Sequence, residues 1–150
     1  MAQIEKVYMS GGREKIVVLW VSRHPPLKAQ IEELERKLGS VIIYQLSGVI
    51  PNAEFIIDYI KKLNARYTVP VLPLSMIARL SELAKQHNFI VLLARMNNIA
   101  TTKDIDEAKK LVNEAPDKRT LATHADGLIR IFEFERFDKL VKIELITEPL

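Results

Sequence analysis

Three features of the 150-residue sequence predict an α/β fold centred on a parallel sheet. Ile16–Val21 is an unbroken run of apolar, mostly β-branched residues, the pattern of a strand buried on both faces. Three further strand-like stretches follow, at residues 41–46, 67–72 and 89–94, and segments of helical periodicity separate them. Alternating strands and helices at this pace require right-handed crossovers between parallel strands. With 48% hydrophobic and 27% charged residues, the chain has enough apolar material for one domain over residues 1–150.

Each element has its own local reasons. Residues 1–14 hold IEKVYM and then Ser10-Gly11-Gly12, read as a short edge strand before a turn. Residues 15–26, KIVVLWVSRHPP, organise the rest: a central strand stops at Ser22-Arg23-His24, and Pro26 opens a helix. In that helix Leu27, Ile31, Leu34 and Leu38 form the inner stripe, and Gly39 supplies the stop. Strand 41–46 turns at Ser47-Gly48, and Pro51-Asn52 starts a helix with Ala53, Ile56, Ile57, Ile60 and Leu63 inward. In strand 67–72, Pro70 removes a ladder donor and points to an edge or a bulge. Ser75 is the expected N-cap of the next helix, which ends near His87-Asn88. Strand 89–94 then leads into Arg95-Met96-Asn97-Asn98.

Beyond this point the pattern changes. Asp104 caps a short helix with Ile105, Ala108, Leu111 and Val112 along one side, and residues 117–126 read as a loop. Residues 128–134 and 140–147, joined by Arg136-Phe137-Asp138-Lys139, read as a C-terminal antiparallel hairpin. Apolar residues on both of its faces point to a homodimer, because a solvent-facing hairpin would carry charges there.

Composition excludes several classes of function. A formal charge of +3 and a pI near 9.1 suit a phosphate-bearing ligand and fall short of the charge density of a duplex-DNA binder. The chain has no cysteine, which excludes disulfides and cysteine-based zinc or redox chemistry. His24, His87 and His124 lack ligand-type spacing, so neither a metal nor another cofactor is expected. No signal pattern and no apolar run near ~18 residues occur, giving the expectation of a cytoplasmic protein without membrane contact. The Gly-rich dinucleotide fingerprint, the P-loop and the G-x-S-x-G elbow are all missing.

In a parallel sheet the C-terminal strand ends share one rim, the usual ligand crevice of open α/β sheets. The groups expected there are Ser22, Arg23 and His24, then Ser47 and Gly48, then Ser75, and finally Arg95, Asn97 and Asn98. Two arginines, several hydroxyls and three helix N-termini favour an anion. Bland readings stand beside this one: Ser75 as a helix cap, Arg95 as half of an ion pair, Asn97-Asn98 as turn residues. Ser22-Arg23-His24 is harder to explain structurally, since core strands seldom end in three polar residues.

Two resemblances bear on the rim. Arg23-His24 after an apolar strand resembles the Arg-His-Gly opening of histidine phosphatases, which would imply a phosphohydrolase with His24 as nucleophile. Pro25 replaces that glycine, and the second histidine of that family has no counterpart. VLWVSRH at residues 18–24 and VPVLPLSMIARL at residues 69–80 resemble the recurring segments of small CRISPR-associated Rossmann-like proteins, the CARF-type sensors and stand-alone ring nucleases. That resemblance covers residues 16–95. It implies a Rossmann-like sheet that binds a cyclic oligoadenylate, and its ring-nuclease side implies cleavage of that ring without a metal. Arg23 and His24 would be catalytic, and Ser22, Ser47, Gly48, Ser75, Arg95 and Asn97 would bind ligand. The competing reading is a dimeric, non-catalytic accessory module of the same fold.

Overall fold

The computed structural model describes residues 1–150. Four helices and seven strands form, and the strand pairing is mixed rather than mainly parallel. The chain divides into two compact units. One holds Met1–Pro25, Gly39–Leu93 and Asp138–Leu150, and the other holds Pro26–Leu38 and Ala94–Phe137. No helix is long and apolar enough to cross a membrane.

In the first unit the strands lie in the order β1 (Gln3–Met9), β3 (Val41–Ser47), β2 (Ile16–Val21), β4 (Tyr67–Pro70), β5 (Ile90–Thr102), the last contributing its opening residues. β2 runs parallel to both β3 and β4, and β4 runs parallel to β5. Val18 to Val21 are buried, as the unbroken apolar run requires of a strand with neighbours on both sides. β1 is antiparallel to β3, with a register shift between Lys6 and Tyr8. It is one of two departures from a parallel sheet.

Pro70 does not mark an edge. β4 lies between β2 and β5, and the proline is its last residue, where it sits opposite Val21. The ladder steps over the missing donor, with Val71 N–H bonded to Val21 C=O at 2.8 Å. Helices α2 (Ala53–Leu63) and α3 (Leu74–His87) pack against each other. Asn52 Oδ1 accepts the Phe55 N–H at 2.9 Å and caps α2, and Glu54 bonds Arg79 of α3 at 2.8 Å. Leu19, Val21, Leu46, Ile56, Ile60, Leu80 and Phe89 belong to the core of this unit.

Ser75 is not the cap of α3. Pro73 occupies that position, α3 begins at Leu74, and the N–H groups of Met76 and Ile77 both bond Pro73 C=O. The fixed φ of proline thus starts the helix two residues earlier than a Ser75 cap would.

The second unit contains α1 (Lys28–Leu38), the later part of β5, α4 (Ile105–Asn113), β6 (Arg119–Thr123) and most of β7 (Ile129–Lys139). Gln30 Oε1 accepts the Leu27 N–H at 2.7 Å and secures the start of α1, so Pro26 lies just ahead of the helix rather than in it. α4 matches the expected helix, with Asp104 Oδ1 accepting the Asp106 N–H at 2.9 Å. Ala108, Ile129 and Ile131 form a small core here, while Ile105 is exposed.

The antiparallel hairpin exists but is placed differently. Its strands are β6 and β7, and its turn is His124 to Leu128. Asp126 Oδ1 accepts the Leu128 N–H at 3.0 Å, and Gly127 takes φ +80°. Arg136 to Lys139 continue β7, since nothing in them breaks a strand, and residues 140–150 carry no regular structure.

Candidate functional site

The parallel strands wind first from β2 to β3 on one side, then cross to β4 on the other. Their C-terminal ends therefore diverge at β2, the place where open α/β sheets leave a crevice. A cleft of about 280 Å³ opens there. It is lined by Ser22, Arg23, His24, Ser47 and Gly48, above an apolar floor that includes Val21, Leu46 and Ile50.

The turn after β2 is held from three directions. Gln45 Nε2 donates to Ser22 C=O at 2.9 Å, His24 N–H donates to Ser22 Oγ at 3.1 Å, and Trp20 Nε1 donates to His24 C=O at 2.9 Å. Trp20 is only 3% exposed and Gln45 is buried, so two interior side chains fix the path of an exposed segment. The Ser22 N–H is also used, bonded to Leu46 C=O at 3.2 Å. Arg23 and His24 are exposed, and no carboxylate lines the cleft. The Arg23 guanidinium has no ion-pair partner in the chain, so its charge faces solvent and the cleft.

Gly48 has a structural role of its own. Its φ is +99°, and a Cβ placed on it would lie 2.5 Å from Met1 O and 2.9 Å from Ala2 Cα. The backbone of the first strand passes over this turn, with Gln3 paired to Ser47. Only glycine accommodates both the conformation and the approach.

Ser22, Arg23, His24, Ser47 and Gly48 thus share one cleft, and the other expected residues do not line it. Ser75 is exposed in the first turn of α3. Arg95 and Asn97 are strand residues, because β5 continues to Thr102 instead of ending at Ala94, and both belong to the second unit. His124, the other histidine in question, lies in the β6–β7 turn of that unit. The residues that sequence reasoning passed over are Trp20 and Gln45. Trp20 reads as core, and only its indole N–H betrays a second task.

A larger groove of about 830 Å³ lies near the starts of β4 and β5, lined by Lys61, Arg66, Lys85 and His87 among others. Lys61, Lys85 and His87 are in the last turns of α2 and α3, where the helix dipole favours cations without any ligand. The smaller cleft has no such explanation for its charge, and it is the candidate site. Chemically it can present a cation, an imidazole and two hydroxyls to an anionic group. No protein-family model, no curated protein and no solved structure matches this chain.

Proposed function

We propose that the cleft at the end of β2 binds a phosphate-bearing nucleotide, that the fold is Rossmann-like, and that a cyclic oligoadenylate held between two copies is the natural ligand. One observation carries the reading: Ser22, Arg23, His24 and Ser47 meet in a carboxylate-free cleft where the strand order reverses. At about 280 Å³ the cleft falls just below the ~300–1,000 Å³ span of small-molecule sites. It suits one nucleotide unit per chain, so a ring of several would need the paired clefts of a dimer. The resemblance of residues 18–24 and 69–80 to CARF-type proteins supports the same ligand.

Cleavage would follow if the ribose 2′-oxygen attacked the neighbouring phosphate and the 5′-oxygen left. Arg23 would stabilise the charge that develops, and His24 would take the 2′-hydroxyl proton. A second reading, binding without turnover, is favoured by one feature of the site. The hydrogen bonds of His24 are made by its backbone, and nothing orients its imidazole as a proton-transfer histidine requires.

Titration with a labelled cyclic oligoadenylate tests both readings. A charge-assisted Arg–phosphate contact is worth ~1.5–3 kcal/mol, so Arg23→Ala weakens binding by roughly ten- to a hundredfold. His24→Ala abolishes turnover with little loss of affinity if the histidine moves a proton. Failure of the wild-type chain to bind refutes the ligand, and unchanged binding by Arg23→Ala refutes the site.

A further inference from the structure

Residues 141–145, VKIEL, alternate apolar and charged side chains as a strand does, and the segment has no partner strand. Val141, Ile143 and Leu145 fall on one face and are 71%, 39% and 89% exposed. On the opposite face Lys142 Nζ lies 3.7 Å from Glu144 Oε2, the i, i+2 contact that an extended backbone produces. The root of the segment is anchored. Leu140 N–H donates to Val91 C=O at 2.9 Å, and Leu140 packs against the core of the first unit. A strand-patterned segment is therefore held at one end and presented bare along its length.

We propose that this segment is a dimerisation strand that pairs antiparallel with the same segment of a second copy, about a two-fold axis at Ile143. The charge order specifies the occupant. In that register Ile143 faces its own copy and Val141 faces the Leu145 of the other chain. Lys142 of each chain faces Glu144 of the other, in two symmetric pairs. A second copy, running antiparallel, offers the reversed order Glu–Ile–Lys. Opposite charges directly across a strand pair stabilise it, and like charges destabilise it. An isologous pairing of this kind closes on itself instead of propagating into a fibre. The inference rests on the dimeric half of the function proposed above and is independent of its ligand.

The test is charge-reversal complementation on the full chain without nucleotide, read by light scattering or sedimentation. Wild type forms a species of twice the 17.2 kDa monomer mass. Lys142→Glu and Glu144→Lys each place like charges opposite one another at both pairs, weakening the dimer by on the order of ten- to a hundredfold. Mixing the two variants restores opposite charges at both pairs and restores the dimer, and so does the double variant carrying both changes. Both side chains are about 60% exposed, at 63% and 62%, so neither substitution disturbs the core. A monomeric wild type, single variants that dimerise like wild type, or a mixture that stays monomeric would each overturn the proposal. Nucleotide titration of the same samples reads the ligand separately.

Discussion

Gly48→Ala probes the close approach of backbone beside the cleft, and Gly39→Ala is its natural control. Both glycines have positive φ, +99° and +86°, so an alanine at either incurs the strain of a left-handed conformation, ~1–2 kcal/mol. At Gly39 nothing lies within 4 Å of the added Cβ, and that strain is the whole cost. At Gly48 the new carbon would lie 2.5 Å from Met1 O, a backbone atom that moves only if the start of β1 moves. Displacing Met1 and Ala2 also loosens the pairing of Gln3 with Ser47, adding ~1–2 kcal/mol for a lost backbone hydrogen bond and its packing. Gly48→Ala should therefore cost ~2–4 kcal/mol against ~1–2 for Gly39→Ala. In a chain of this length each kcal/mol lowers Tm by ~2–4 °C. Thermal and urea unfolding of the two variants measure the difference. Equal destabilisation would refute the inferred backbone contact over Gly48.

Two further outcomes follow from other contacts. Trp20→Phe removes the indole donor to His24 C=O and should weaken binding of the nucleotide proposed for the cleft, beyond the stability loss of a smaller core side chain. Binding that is unchanged at a temperature well below Tm would show that the bond does not position the turn. The second concerns acid stability in the β6–β7 pair. The hydrogen bond from Arg119 at 2.9 Å holds the Glu133 carboxyl below its ordinary 4.5, with Lys118 adding attraction. Its contribution is therefore full above pH 4.5 and is lost as pH falls through the lowered folded value. Glu133→Gln should be less stable near neutrality and should show a shallower decline of Tm below pH 4.5, and parallel Tm–pH curves would count against this pair.

How much was legible in the sequence can be judged from particular residues. The central strand Ile16–Val21, the helix start at Pro51-Asn52, the Asp104 cap and the stop at Gly39 were readable, because each depends on local chemistry or on burial from both sides. Ser22, Arg23, His24 and Ser47 were placed in one cleft for the same reason, since strand ends of a parallel sheet must share a rim. The later half was misread where long-range pairing overrides local signals. β5 continues past Ala94 through residues that look like turn chemistry, Asn97 and Asn98. The hairpin turns at Asp126-Gly127, a favoured turn pair, and not at Arg136–Lys139, a charged stretch that lacks any breaker. Ser75 failed as a cap because Pro73 starts the helix first.

β1 is held unevenly. It has one neighbour strand, a register shift at its middle, and side chains that are exposed except at Val7 and Tyr8, so its local opening requires far less free energy than opening β2. Yet its first residues cover the turn at Ser47-Gly48, which forms one wall of the cleft. Partial fraying of β1 therefore frees that wall while the core beneath stays folded. A ligand that grips Ser47 would suppress the fraying, which couples occupancy of the cleft to the order of a strand in a remote part of the sequence.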